Sequence, residues 1–363
     1  MKALAISYKG MEDITAKEIS ELIKAKTEIK ESCVIFKAEK LEDLALLCYK
    51  GQSVNRILLL LDEFKISKIG DLKRISKIDF SKWLKNRTFA ARCEIVKNKL
   101  NSQEVEKATG DQIEAKVNLD NPDVTVFVYI YRNDCYVGID LGRDLSKREY
   151  KIFSTPTALK GTIVYSLLRI GEYDKEKLLL DPFCGSGEII IEAGLFANDF
   201  PVNFYNKKKF LFLRLKEFEK FDFEAVDKGI LKEKTNIYAF DSQQRYVKSS
   251  EKNAKIAGIQ KSIKFSRVDV ADLELKFKED EVDLIVTNPP RVSSSVNLDA
   301  IRKIYHEFFY QAEYILNDKG KIVICSTKVE LLKEEANKLG FKVKEERGIE
   351  HGKAVLKVVI FVK

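Results

Sequence analysis

The stretch LLLDPFCGSGEIIIEAG, residues 178–194, sets an acid, two glycines and the start of an apolar helix in close succession. A buried strand is expected to end at Asp181, a tight turn to pass through Gly185, Ser186 and Gly187, and a helix to begin near Ile189. Glycines let the backbone come close to a ligand, and a helix N-terminus presents unpaired N–H groups. That chemistry suits a nucleotide or an adenosyl group. The dinucleotide fingerprint GxGxxG is not met, because Gly185 and Gly187 run on into Glu188 and Ile189, and no GKS or GKT follows to make a Walker loop. Hydride transfer is therefore disfavoured and a Walker-type phosphate loop excluded.

Two further acids follow strand-like runs. IYAF at 237–240 leads into Asp241, placed to accept from both hydroxyls of a ribose, and the run at 263–265 is followed by Asp269, placed to accept from an adenine amine. The separation of Asp241 from the glycines exceeds the roughly twenty residues of the dinucleotide pattern, because residues 198–235 are inserted. Each acid taken alone fits a helix N-cap equally well. Acids at three successive strand ends point instead to a ligand, since open α/β sheets bind at those ends. A fourth run ends DLIVTNPPR, residues 283–291. Its prolines fix the backbone and lack N–H groups, so the Asn288 side chain and the Pro289 carbonyl present acceptors in a rigid array. Acceptors so arranged suit an exocyclic amine: engaging both N–H groups twists the nitrogen lone pair out of conjugation and makes it nucleophilic. The same residues also read as a rigid loop closing a strand.

The elements that must position these groups form two patterns. From about residue 157 onward helices alternate with isolated apolar strands, the signature of a doubly wound parallel sheet, and the last stretch, KVKEERGIEHGKAVLKVVIFVK, leaves no room for a crossover helix. It is expected to close the sheet as an antiparallel hairpin joined through 348–352. The N-terminal third mixes short strands with amphipathic helices, among them a helix after Leu100 with Ser102 as its expected N-cap.

Apolar residues make up 45% of the 363 and charged residues 33%, which fits a globular protein able to bury sizeable cores. No apolar run approaches the roughly 18 residues of a membrane span, so no membrane association and a cytoplasmic location are expected. Six scattered cysteines without a CxxC pair predict reduced thiols and no structural metal. His306 and His351 stand too far apart in sequence to suggest a metal site or triad, and no histidine lies near Cys184. The net charge of +8 resides in residues 65–99, which hold eleven Lys or Arg against three acids. A basic face of that kind attracts a polyanion by counterion release; a solvated lysine-rich surface fits the same composition. Phe80 and Trp83 in that segment fit either a stacking or a core role.

LLLDPFCGSG followed by IVTNPP resembles the class I, S-adenosylmethionine-dependent methyltransferases that modify exocyclic nitrogens of nucleic acid bases. The N-terminal part resembles a THUMP domain preceded by a ferredoxin-like domain, on SYKGMEDITAKEISEL, TFAARCEIVKNKLNSQEVEKATGDQI, VNLDNPDVTVFVYI and VGIDLGRDLSKREY, with STPTALKGTIVYSLL matching the helix that joins it to the catalytic domain. The whole order resembles the THUMP-containing tRNA guanine-N2 methyltransferases. It implies a ferredoxin-like domain at 1–62, a THUMP domain at 63–145, a linker at 146–156 and a Rossmann-like methyltransferase domain at 157–363.

The resemblance further implies a cofactor pocket for S-adenosylmethionine built by Asp181, Phe183, Gly185 and Gly187, with Asp241 on the ribose and Asp269 on the adenine. Asn288, Pro289, Pro290 and Arg291 become the catalytic residues, and the THUMP domain grips the acceptor end of tRNA, with Lys82, Lys85 and Arg87 as RNA contacts. The expected reaction is methylation of guanine N2 in or near the acceptor stem by a monomer, at position 6 in preference to position 10. Two residues depart from the family. Glu188 replaces a threonine, a change expected to be tolerated, and Arg291 replaces the aromatic of NPPY that stacks on the flipped base. A planar guanidinium also stacks on bases. The alternative is a catalytically silent tRNA-binding protein, consistent with Arg291 and the serine run at 293–295. The loops of THUMP proteins that thiolate or deaminate tRNA are missing.

Overall fold

Strands that are apolar on both sides are buried on both faces. VTVFVYIY, residues 124–131, is such a strand, and every residue in it is buried. The computed structural model describes residues 1–231, 233–291, 297–352 and 354–363; the serine run at 293–295 lies outside the described residues. Two compact units divide the chain, one of Met1–Ser7, Thr15–Leu145 and Asn206–Phe223, the other of Tyr8–Ile14, Ser146–Tyr205 and Glu224–Lys363.

The first unit is built on strands β1 (Lys2–Ile6), β2 (Thr27–Lys30), β3 (Cys33–Lys37), β4 (Arg56–Lys65), β5 (Thr88–Val96), β6 (Lys116–Val117), β7 (Val124–Tyr131) and β8 (Asp134–Asp140). They form one sheet in the order β2-β3-β1-β4-β8-β7-β5-β6. Helices α1 (Glu12–Ile23), α2 (Leu41–Lys50), α3 (Ser81–Leu84) and α4 (Ser102–Gly110) lie along the same part of the chain. The sheet is continuous from residue 2 to residue 140 because β4 pairs with β1 on one side and with β8 on the other. One face buries Leu4, Ile35, Leu58 and Phe127 in a common core. Asn101, not Ser102, caps α4: its side chain accepts from the N–H groups of Gln103 and Glu104, and Ser102 is the first helical residue. The inserted residues 206–223 join this unit through aromatic packing, with Phe223 edge-on to Tyr49 at 4.8 Å and Phe210 edge-on to the same ring at 6.3 Å.

The second unit carries β9 (Leu179–Asp181), β10 (Ile237–Asp241), β11 (Ile263–Arg267), β12 (Val282–Thr287), β13 (Leu316–Ser326), β14 (Lys342–His351) and β15 (Ala354–Val362) in the order β11-β10-β9-β12-β13-β15-β14. The first five in that order pair in parallel, and β15 and β14 add antiparallel to β13. Gly348 lies inside β14, opposite Lys357, rather than in the turn, because the pairing register runs on to His351 opposite Ala354; a Cβ on Gly10 would meet the Gly348 carbonyl. Helices α5 (Gly161–Ile170), α6 (Glu188–Ala197), α7 (Phe223–Asp227), α8 (Gln244–Ala257), α9 (Leu298–Ile315) and α10 (Glu330–Lys338) complete the chain. Side chains of α5 and α6 share one apolar cluster with residues of the sheet, and side chains of α9 and α10 share another. Among the described residues no helix is long and apolar enough to cross a membrane.

Candidate functional site

Parallel pairing turns the carboxyl ends of β9, β10, β11 and β12 to the same edge, so Asp181, Asp241 and Thr287 all end strands there. The turn after β9 has the left-handed backbone that its glycines allow: φ is +52° at Gly185 and +90° at Gly187. A Cβ on Gly187 would come within 2.8 Å of Ser250 Cβ on α8, so only glycine admits this helix. A Cβ on Gly185 would sit 3.6 Å from Thr155, and both residues line one cleft.

That cleft brings together Asp181, Phe183, Gly185 and Asn288 with Thr155, Thr157 and Glu188. Gly187, Asp241, Asp269, Pro289, Pro290 and Arg291 do not line it. Asp181 is 1% exposed, and its Oδ1 accepts from Thr287 Oγ1 at 2.7 Å and from the Phe183 N–H at 3.2 Å. Burial pushes this carboxyl up to about 7, with the two hydrogen bonds opposing. Asp241 is raised by burial too, and its oxygens accept from the N–H groups of Gln243 and Gly185, which ties the end of β10 to the glycine turn. Asp269 is exposed and caps the short helical turn after it, accepting from the Ala271 N–H at 3.2 Å. Phe183 packs its ring against Phe308 of α9 at 5.7 Å.

In the loop after β12, Asn288 Nδ2 donates to the Thr157 carbonyl at 2.8 Å, which turns the amide and leaves Oδ1 without a donor among the described residues. Tyr305 Oη donates to the Pro290 carbonyl at 2.6 Å, and Arg291 Nη1 donates to Thr327 Oγ1 at 3.0 Å. Sequence reasoning missed Thr287 and Tyr305. Thr287 directly precedes Asn288 and was open to notice; nothing in the sequence links Tyr305 to a carbonyl fifteen residues before it. Glu188, expected only to be tolerated, takes a definite place: it accepts from Ser186 Oγ at 2.8 Å and pairs with Lys151 at 3.1 Å. His306 sits at the surface beside Glu335, its Nδ1 3.3 Å from Oε2.

The basic segment belongs to the first unit. Lys82 and Lys85 are exposed, with Lys82 over the Trp83 ring at 5.0 Å, while Phe80 and Trp83 are buried. Arg87 is forked onto Glu217 at 3.0 and 2.9 Å, so a phosphate at Arg87 has to compete with a bidentate carboxylate. Lys65, Arg74 and Arg92 also face acids: Asp134, Asp62 and Glu106.

A sheet of this order, with a glycine turn after its central strand and an Asn-Pro-Pro loop after the neighbouring one, defines a class I methyltransferase, whose methyl donor is S-adenosylmethionine. The family model described as RMKL-like, methyltransferase domain matches residues 148–357, and a THUMP domain model matches residues 72–140. The chain belongs to the RMKL-like methyltransferase family and carries a THUMP domain ahead of its catalytic part. Among its relatives is a tRNA (guanine(6)-N2)-methyltransferase of Methanocaldococcus jannaschii, 31% identical over 96% of both chains. A protein of the same name from Archaeoglobus fulgidus is 27% identical over 97% of this chain and 90% of that one. The solved structure of SMU.472 complexed with SAH superposes with a TM-score of 0.81 at 20% identity, covering 99% of this chain and 97% of the other.

Proposed function

We propose that the protein methylates the N2 of guanine 6 in tRNA with S-adenosylmethionine, acting as a cytoplasmic monomer divided as 1–62, 63–145, 146–156 and 157–363. The observation that carries the chemistry is the convergence of the glycine turn and Asn288 on one cleft. The residues there fit the donor. Two carboxyl groups line the cleft, on Asp181 and on Glu188, the latter already paired with Lys151, for a ligand that bears a sulfonium and an ammonium, and Gly185 leaves open the space that a Cβ would narrow. Asp181, Phe183, Gly185, Gly187, Asp241 and Asp269 are the residues assigned to hold it. When bound, S-adenosylmethionine supplies an already activated methyl group.

The remaining work falls to the chain's own groups. Asn288 Oδ1 and the Pro289 carbonyl accept the two N–H groups of the guanine amine, which stabilises the positive charge that develops on nitrogen. Because the Asn288 amide is held by Thr157, this acceptor is oriented before the base arrives. Pro290 is fixed by Tyr305, and Arg291 offers a planar face to the base. Lys82, Lys85 and Arg87 contact the RNA backbone. Position 6 is favoured over position 10 by the names of the two archaeal relatives. The test uses radiolabelled S-adenosylmethionine with unmodified tRNA transcripts, followed by nucleoside digestion. The expected product is N2-methylguanosine, lost when guanine 6 is replaced; label at guanine 10 instead overturns the position, and no label on any transcript supports a silent tRNA binder, the reading that the departure at Arg291 favours.

A further inference from the structure

Residues 152–159 form one wall of the cleft without helix or strand, with Thr155, Thr157, Ala158 and Leu159 facing it. Irregular backbone keeps its place only where its polar groups find partners. At the start of the wall the Ile152 N–H reaches the Tyr150 carbonyl at 3.0 Å, and the other partners come from one side chain. Asn253 of α8 is 0% exposed, and its Oδ1 accepts from the N–H groups of Ile152 at 3.2 Å and Phe153 at 3.1 Å. Its Nδ2 donates to the Phe153 carbonyl at 2.7 Å and to the Ser186 carbonyl at 2.8 Å. Both donors and both acceptor sites of the amide are therefore used, and they join two separate segments, the wall and the glycine turn. An asparagine on a buried stripe with Val247, Ser250, Ala254 and Ala257 makes sense only if its polar atoms are claimed in this way.

We infer that Asn253 is a positioning residue for the cofactor cleft, fastening the 152–159 wall to the glycine turn so that ligand affinity depends on this amide. The inference rests on the reading of the cleft as the S-adenosylmethionine site. Asn253 does not line the cleft and acts through the segments it holds. Loosening either segment lets the wall swing away from the ligand. Asn288 holds the wall at Thr157 and Lys151 holds it at the Leu159 carbonyl, so release at Asn253 frees the wall at one end only.

The experiment measures S-adenosylhomocysteine affinity by calorimetry on the full chain for wild type, Asn253→Ala and Asn253→Asp, with Leu332→Ala on α10 as a buried substitution remote from the cleft. The aspartate keeps the shape and the acceptor half of the amide but removes both donors. Affinity should fall by about tenfold in both Asn253 variants and stay at the wild-type value in Leu332→Ala, whatever each does to the melting temperature. Saturating S-adenosylmethionine should then restore most of the wild-type kcat, and hydrogen exchange at the Phe153 amide should quicken in Asn253→Ala. Wild-type affinity in both Asn253 variants, or a parallel loss in Leu332→Ala, overturns the inference while leaving the functional reading intact. Failure of the wild type itself to bind overturns both. Should Asn253→Ala not fold, Asn253→Asp decides on the same criterion.

Discussion

Asn288 and Asp181 do different work with similar atoms. In the proposed reaction Asn288 contributes an acceptor whose interaction strengthens as the amine nitrogen becomes positive, so it would stabilise the transition state more than the ground state. Asn288→Ala is expected to lower kcat by about 10²–10³-fold, the range seen when an oriented polar group is removed from a developing charge, with tRNA affinity unchanged in a filter-binding assay. Asp181 responds to pH. Its carboxyl rises from the usual value of about 3.9 to about 7 in the fold, chiefly through burial. The folded state therefore holds more protons than the unfolded one between those values, and stability falls as pH climbs through that window. Asp181→Asn removes this slope, so the melting temperature of the wild type should drop relative to the variant from about pH 5 to about pH 8. In the proposed cofactor cleft, ionisation also places a negative charge opposite a cationic donor. The preference for S-adenosylmethionine over the uncharged thioether product should accordingly strengthen over the same pH range in the wild type alone.

At the scale of elements, the Asn-Pro-Pro loop depends on α9. Tyr305 is 2% exposed and its hydroxyl holds the Pro290 carbonyl, so Tyr305→Phe leaves that carbonyl without its donor at a cost of about 1 kcal/mol. If the loop presents the acceptors, kcat should fall several-fold while the KM for S-adenosylmethionine stays put; a change in KM alone would place Tyr305 with the cofactor instead. The strands that hold this site were legible because each is a short apolar run ending in a chemically distinctive residue, Asp181, Asp241 or Thr287 before Asn288. Other elements were not. β2 alternates Thr27, Glu28, Ile29 and Lys30 and exposes much of itself, so its apolar signal is weak and pairing with β3 decides it. Asn101 takes the cap of α4 because it holds the extended backbone before the first turn and accepts from two free N–H groups, whereas Ser102 is already helical. The inserted residues 206–223 read as an interruption of the catalytic part, yet their aromatic rings find partners around Tyr49 of the first unit, a long-range choice with no local periodicity to announce it. Asp269 fits the cap reading as well as the ligand reading, as strand-end acids do when a short helix follows.

For the whole molecule, charge is the property that separates the two units' tasks. The excess of +8 equals that of residues 65–99, but the fold neutralises part of it locally, since Lys65, Arg74, Arg87 and Arg92 all face carboxylates. The lysines that remain exposed, Lys82 and Lys85 among them, are thus better placed to release counterions on meeting a polyanion than the arginines are. Arg87 has a structural duty beside its proposed RNA contact, because removing it strands Glu217, which lies only 23% exposed. The two roles give different signatures. Lys82→Ala with Lys85→Ala should weaken tRNA binding and reduce the slope of log affinity against log salt by up to about one unit per lost phosphate contact, with S-adenosylhomocysteine binding and thermal stability unchanged. Arg87→Ala should lower stability by about 1–3 kcal/mol, as expected for hydrogen bonds to a charged partner, and Glu217→Gln should recover part of that loss in the double variant. A salt slope that stays at its wild-type value in the double lysine variant would leave these lysines as solvated surface and move the RNA-binding face elsewhere on the molecule.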